Sequence, residues 1–563
     1  MSATSSVAVG AARGVGRTVD RLLERPRSVL GTLIGVQIAA TLVLALSVAH
    51  NGWVFFQGGD QIWLGTQGWL LGQLELAPTE LGYFWSFLLM PIMWITGPTF
   101  VQALPALVLL QVLVLGPIAL LCVYGIATKI GGRLLGYWAS LLWVVAPFAS
   151  IPLFVDRYQE RWSEQFLPQA LGLTAMADFP STVIVLAAAL YVVRSLSPGH
   201  LADAVFAGVL LGAAAALKPP NLLVVLGVGL GYVAARRWRE GLACAVAVVP
   251  ALLVLLAWKY RGLGEVPAFA LGQARVAAGS GPLLADIRLD RYFDLDFNHW
   301  KTQMDQLREF FWSARLAQWA PFAGLIAVLR VRRGAIAALL GGWLAAFLVV
   351  KGFSPRADIQ ANTFWRLLMP AWPAYLLLFA SIPLLIPTLA RRLGERLQPS
   401  ESRTIAPRWI VLGAVLSVAL PAVAIAASSP SEPPTPAVFQ GEPGGQGSDI
   451  LAPVDASVAL RVEREGSATR LTCSNGTTWR AGVFYRVYRH DGPQPDTACY
   501  RSGGVAWYCY VTGTPIATTR EATFLDSSAP PNSTYRIGVG TNWVDDPEFG
   551  DVFAFSPPVS AAG

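Results

Sequence analysis

The stretch Gly58-Gly59-Asp60-Gln61-Ile62-Trp63 sets one carboxylate among aromatic residues, with Trp53, Phe55, Phe56 and Trp69 close by in sequence. A carboxylate against apolar surface has its ionised form disfavoured, which raises its basicity. Such a group suits removal of the proton from a hydroxyl nucleophile. The glycines before it let backbone approach a ligand closely. Arg366, in Trp365-Arg366-Leu367-Leu368-Met369-Pro370, offers a fork of donors that fits a phosphate. Lys218, in Leu217-Lys218-Pro219-Pro220-Asn221, is a cation at a rigid turn and suits an anionic ligand. Asp156, Arg157, Glu160 and Asp178 would supply acceptor contacts, a second carboxylate or metal ligands. Each has a plainer reading. Turns favour Gly and Asp, interfacial Arg and Lys snorkel, and Glu160 fits a solvated loop with internal ion pairs.

These residues lie between long apolar runs. The 563-residue chain is 54% apolar and only 14% charged, where soluble domains carry about a quarter charged residues. Its mean hydropathy is +0.49. The runs predict about eleven spanning helices of near 20 residues each. They fall near 28–49, 101–127, 134–154, 180–195, 202–218, 221–235, 241–259, 315–330, 334–350, 366–389 and 408–427. The run 84–97 is short and broken by Pro91, and reads as re-entrant or interfacial. The fold class is therefore mainly α: a polytopic membrane bundle with a small all-β sandwich domain at its carboxyl end. The length of the first run favours an uncleaved anchor over a signal peptide.

Loop charge sets the expected orientation. Arg13, Arg17, Arg21, Arg25 and Arg27 precede the first span, forming a basic tail over 1–27. Further basic clusters are Lys129 with Arg133, Arg194, Arg236 to Arg239, Arg330 to Arg333, and Arg391 to Arg408. Eleven spans put all of them on the cytoplasmic side and the carboxyl terminus outside. The net charge of +7 is then mostly topology, and no nucleic-acid partner is expected.

The outer side receives four segments, 50–100, 155–179, 260–314 and 351–365, from the membrane domain 28–428. In the first, Trp63, Leu70 and Leu74 recur at helical spacing, as in an interfacial helix. In the third, Asp286, Asp290, Asp294 and Asp296 precede an amphipathic helix with Trp300, Met304, Leu307 and Phe311 on one face. Asp294 and Asp296 are too sparse for a calcium loop, and His299 reads as structural.

A Pro/Ser/Gly-rich linker over 429–449 reads as too polar and broken to pack. From 450 to 563, alternating runs such as Val483–Arg489 and Tyr535–Gly540 predict an extracytoplasmic β-sandwich. The stretch from Phe524 to Val539 resembles the later strands of a fibronectin type III domain, where a Tyr packs at the strand corner. An exported domain favours disulfides. Cys499 and Cys509 flank Ser502-Gly503-Gly504, the expected tip of a hairpin, and are the preferred pair; other pairings with Cys473 stay open. Cys122 and Cys244 lie within spans and read as core. No Cys/His spacing suggests a zinc site.

The sequence carries no Walker A loop, dinucleotide fingerprint or serine-nucleophile elbow. An outward-facing enzyme without a nucleotide site needs a substrate delivered by a lipid. The order of motifs also resembles a known family. A first span leads to Gly59-Asp60-Gln61-Ile62-Trp63-Leu64, then Gly82-Tyr83-Phe84, Leu89-Met90-Pro91-Ile92 and Gly97-Pro98. Tyr124 to Lys129, Leu217-Lys218-Pro219-Pro220-Asn221 and Trp365 to Pro373 follow. This is similar to the GT-C superfamily of integral-membrane glycosyltransferases. That superfamily includes protein mannosyltransferases, aminoarabinose transferases and actinobacterial arabinosyl- and mannosyltransferases.

The resemblance covers about 28–390. It implies transfer of a pentose or hexose, with inversion, from a polyprenyl-phosphate-sugar donor to a glycan, glycolipid or protein acceptor of the cell envelope. It implies an enzyme of the bacterial plasma membrane in which Asp60 is the base. Arg366 and Lys218 would bind the donor phosphate. Many members carry two adjacent acids where this chain has Asp60-Gln61. Asp156 or Asp178, or a divalent cation, would then complete the site, with Arg157 as a further acceptor contact. Two readings compete: a transporter or flippase, and a non-catalytic envelope-assembly protein. The near absence of charge inside the spans argues against a solute pathway.

Overall fold

A computed structural model gives the architecture. It describes residues 23–47, 59–76, 81–97, 100–263, 295–360, 363–388, 404–430, 438–440, 451–453, 458–475, 483–491, 497–502, 506–511, 513–530, 532–541 and 551–561. The predictions at Arg13 to Arg21, Asp286, Asp290, Asp294 and Arg391 to Arg403 lie outside these residues.

Every predicted span is helical. Among the described residues seven helices are long and apolar enough to cross a membrane: Pro26–Leu46, Ala103–Gly131, Asp178–Ser195, Trp238–Gly262, Gly334–Gly352, Thr363–Leu385 and Pro407–Ala427. Arg133–Ala149, Leu201–Leu217, Val224–Ala235 and Ala314–Arg330 are shorter. The chain is an integral membrane protein on the length and apolarity of these helices. Large side chains such as Leu226, Leu253, Trp319 and Val423 lie exposed on their flanks, a surface that suits lipid.

The first of the four loop segments, over its described residues, folds as a helical hairpin. Gly59–Gly72 packs along Tyr83–Thr96, and Ser86 Oγ donates to Gln67 Oε1 across the pair at 3.0 Å. Tyr83–Thr96 has 14 residues, a rise of about 21 Å, short of the ~30 Å hydrocarbon core. The expected interfacial helix ends at Gly72, so Leu74 lies beyond it. Leu74 is exposed, with φ of +61°.

Glycine lets this hairpin dock. A Cβ on Gly82 would sit 2.0 Å from the carbonyl oxygen of Ala216. The first segment therefore abuts the end of Leu201–Leu217 immediately before Lys218. Lys259 Nζ also donates to the Leu81 carbonyl at 2.9 Å.

The described parts of the second, third and fourth loop segments knit together. Asp296 caps Phe297–Phe310 by accepting from the backbone of Asn298 and His299. Met304 and Leu307 of that helix are buried, as its periodicity predicts. Gln303 accepts from the Ile359 amide at 2.8 Å, and His299 bonds the Ala357 carbonyl. Val155 donates to the Phe310 carbonyl, and an isolated bridge joins Phe154 to Phe311.

The tail forms two facing sheets. One has the order Thr523–Asp526, Ala468–Asn475, Val458–Glu465. The other has Thr514–Thr519, Val483–His490, Thr534–Thr541, Asp551–Phe555, with Val559–Ser560 also on Thr534–Thr541. This three-and-four order is that of a fibronectin type III sandwich. Tyr535 is fully buried, and its hydroxyl donates to Asp526 at 2.9 Å.

A hairpin of Thr497–Ser502 and Ala506–Val511 is inserted after Val483–His490, in a register that sets Cys499 opposite Cys509. The linker differs from its expected form. Val438–Gln440 pairs with Leu451–Pro453 and with that hairpin, because one short apolar stretch there meets an open strand edge. Cys122, Cys244 and Cys473 are buried free thiols. Burial pushes the Cys473 thiol up to about 12, an inert form.

Candidate active site

Three sequence-predicted residues meet at one end of the bundle. Asp178 opens the helix Asp178–Ser195 and is 2% exposed. Lys218 Nζ pairs with Asp178 Oδ1, and Arg366 Nη2 lies 3.6 Å from Oδ2. The Lys218 and Arg366 side chains keep 25% and 26% of their surface. Two cations thus share one buried carboxylate, and each brings positive potential to a partly exposed side of the cluster. The positive end of the Asp178 helix adds to it.

Local sequence builds each position. Pro219 and Pro220 end the Leu201–Leu217 helix and throw Lys218 into extended backbone. Asn221, 1% exposed, donates to Ser181 Oγ one turn beyond Asp178, and to the Ala214 carbonyl at 2.8 Å. The Lys-Pro-Pro-Asn turn is thereby tied both to the Asp178 helix and to the end of its own. Arg366 lies in Thr363–Leu368, ahead of a 3₁₀ segment imposed by Pro370. Trp343 Nε1 donates to the Pro370 carbonyl at 3.1 Å.

An aromatic group orients Arg366 through its neighbour. Trp365 packs edge-on against Trp162 and Phe154. Its indole donates to Tyr158 Oη at 2.8 Å, and Tyr158 donates to the Ile359 carbonyl at 2.8 Å. Burial pushes the Tyr158 hydroxyl up to about 12, so it stays a neutral donor.

Asp60 is the second residue of Gly59–Gly72. The next residue, Gln61, is fully buried and accepts from the Ala175 amide at 2.8 Å, three residues before Asp178. The backbone of Asp60 therefore stands at the same end of the bundle as the cationic pair. Asp156 and Arg157 do not join this cluster. Asp156 is exposed, with Gln159 Nε2 at 3.5 Å, and Arg157 pairs with Glu309 on the exposed face. Among the described residues no group of three or more His, Cys, Asp or Glu lies together as metal ligands.

A narrow, mostly apolar groove with about 30 Å³ of free volume lies between helices, and none of Asp178, Lys218 and Arg366 lines it. Phe179 and Thr182 line it beyond Asp178, Met369 and Trp372 beyond Arg366, and Trp143 and Phe148 opposite. Sequence reasoning missed Gln61, Trp85 and Gln111 as contacts of the 174–176 segment. The available signal was two glutamines within apolar helices, where an amide needs a partner.

No protein-family model and no curated protein matches the chain. Solved structures do. The Archaeoglobus fulgidus oligosaccharyltransferase AglB, in complex with an inhibitory peptide and a dolichol-phosphate, is 12% identical over 73% of this chain and 56% of that one, with a TM-score of 0.37. ArnT from Cupriavidus metallidurans is 15% identical in the apo state over 68% and 61%, with a TM-score of 0.40. ArnT bound to undecaprenyl phosphate is 13% identical over 69% and 63%, with a TM-score of 0.36. The chain spans between half and two thirds of the length of these proteins.

Proposed function

We propose that the chain is a GT-C-type membrane glycosyltransferase that moves a sugar from a polyprenyl-phosphate carrier to an extracytoplasmic envelope acceptor, with inversion. The observation that carries this reading is the meeting of Lys218 and Arg366 on Asp178 at the end of apolar helices, with Asp60 at the same end of the bundle. A phosphate on a long hydrocarbon chain matches both features. The two cations take the phosphate oxygens, and the apolar flanks of the helices take the isoprene chain. No cytoplasmic nucleotide sugar is needed.

In the reaction, the acceptor hydroxyl attacks the anomeric carbon from the face opposite the phosphate. Its proton passes to the Asp60 carboxylate as the new glycosidic bond forms. The bond from the anomeric carbon to the phosphate oxygen breaks, and polyprenyl phosphate leaves with the electron pair. Lys218 and Arg366 stabilise the added negative charge on that oxygen. Asp178 holds the two cations together and is too strongly paired to serve as the base. The inserted tail hairpin fits an exported domain, with a Cys499–Cys509 disulfide closing it.

The test is Asp60→Asn in the full chain, assayed with a polyprenyl-phosphate sugar and membrane acceptors. We expect normal membrane insertion and donor binding with transfer reduced by about two to four orders of magnitude. Undiminished transfer overturns the assignment.

A further inference from the structure

A second-loop segment, Thr174-Ala175-Met176, is gripped from the first loop segment. Gln61 Oε1 accepts from the Ala175 amide at 2.8 Å. Trp85 Nε1 donates to the Ala175 carbonyl at 2.9 Å. Both backbone groups of one residue are therefore taken by the two helices of one hairpin. Gln111, inside the Ala103–Gly131 span, donates to the Thr174 carbonyl at 2.6 Å. Gln111 begins a π-helical turn, Gln111–Leu115, a local widening that occurs often at functional sites. Gly172, with φ of +73°, brings the chain into this grip, and a Cβ there would press on Phe179 and Gln111.

Stability alone does not account for the glutamine. Gln61 is fully buried, and its Nε2 has no acceptor among the described residues. A half-satisfied buried amide carries a desolvation cost that an apolar side chain of similar size avoids. What the glutamine does supply is register. It directly follows Asp60, and its partner Ala175 lies three residues before Asp178. One hydrogen bond thus fixes the spacing between the helix that carries the base and the start of the helix whose Asp178 gathers the two cations.

We infer that Gln61, with Trp85, is a positioning residue that sets Asp60 at working distance from the phosphate held by Lys218 and Arg366. The inference rests on the proposed glycosyl transfer. It assigns a role to the residue that stands where many members of the superfamily the sequence resembles carry a second acid. The two residues touch no reacting atom. Misplacement of a base by about 1 Å is enough to cost up to about a hundredfold in rate.

The experiment compares Gln61→Met and Trp85→Phe with the unaltered full chain in lipid nanodiscs, with Asp60→Asn run in parallel. Hydrogen exchange is followed in peptides covering 173–177, and transfer is resolved into kcat and donor KM. We expect exchange there to rise about tenfold in both variants. We expect kcat to fall about tenfold, with donor KM within about twofold of the unaltered value. Trp85→Phe keeps the aromatic packing and tests the grip if Gln61→Met fails to fold. Unchanged exchange overturns the grip. Faster exchange with unchanged kcat overturns the positioning role, as does a loss carried wholly by KM. Normal transfer by Asp60→Asn overturns the proposed reaction instead, and leaves the exchange result standing.

Discussion

The Asp178–Ser195 and Leu201–Leu217 helices pack along one another and carry an ion pair at each end of the pair. The two ends differ. At one, Asp203 is fully buried and accepts from Arg194 at 3.3 Å, from His200 at 2.6 Å, and from the Ile405 amide at 2.9 Å. Its partners come from the helix pair and from the backbone that opens the Pro407–Ala427 span. That end is a knot, closed by a backbone group that ties a distant span in place. At the other end Asp178 meets two full cations from separate segments, each with a quarter of its side chain exposed. The same chemistry is closed by a backbone amide at one end and left partly exposed at the other. The proposed donor-phosphate role of Lys218 and Arg366 would use that exposure.

The sharpest way to break the comparison is to remove a cation from each end. Arg366→Ala or Lys218→Ala should lower transfer from a polyprenyl-phosphate donor by about a hundredfold, the usual effect of deleting one charge-stabilising donor. Arg194→Ala should leave transfer per folded molecule within about twofold of the unaltered chain, while lowering thermal stability. Equal losses at both ends in a purified transfer assay would erase the distinction.

Removing the carboxylates sharpens it. Asp178→Asn and Asp203→Asn each strip a buried anion from its cations, at a cost of about 3 kcal/mol measured by thermal unfolding. Only Asp178→Asn should also change ligand behaviour. With its internal anion gone, the Lys218 and Arg366 pair should hold polyprenyl phosphate more tightly, seen as stronger product inhibition. Inhibition that stays at the unaltered level would mean the cations are not at the donor phosphate.

Much of this was legible in the sequence, for particular reasons. Spans announce themselves by apolar length, and each predicted run is a helix. Asp178, Lys218 and Arg366 stood out because charge beside an apolar run is costly and needs a reason. Only the family resemblance brought them to one site, because pairing between residues 178, 218 and 366 is long-range and no local spacing encodes it. Asp156 and Arg157 were grouped with Asp178 by nearness in sequence, yet the short helix Asp156–Arg161 turns them to solvent. Gln61 read as a missing acid. Its bond to Ala175 depends on how the first hairpin docks, which a local pattern does not report.

That docking gives the next test. Gly82→Ala places a methyl against the Ala216 carbonyl, a backbone atom that cannot swing away. We expect a loss of about 1–3 kcal/mol in thermal unfolding and a further fall in transfer, since Lys218 lies two residues beyond Ala216. Gly229, where an added Cβ would meet nothing within 4 Å, is the control. Gly229→Ala should be neutral or stabilise by up to about 1 kcal/mol. Equal effects at both glycines would remove the close approach as the reason for Gly82.

The smallest effect concerns a third Asp, in the tail, where water replaces the membrane. Asp526 accepts from Arg489, Ser528 and Tyr535, each at 2.9 Å. Burial pushes its carboxyl upward, but Arg489 and the hydrogen bonds from Ser528 and Tyr535 outweigh it and hold the group below the ordinary carboxylate range. A depressed folded value means the unfolded chain binds the proton more readily. The stabilisation is therefore full above the unfolded value of about 3.9, and is lost as pH falls through the folded value. Asp526→Asn should flatten that acid-side loss in the tail's unfolding transition, and Tyr535→Phe should lower stability at neutral pH by about 1 kcal/mol. Like Asp178, this carboxylate has partners for both oxygens, but all of them lie in the tail. Its variants should shift unfolding while transfer per folded molecule stays level, and a matching loss of transfer would instead make the tail part of the working site.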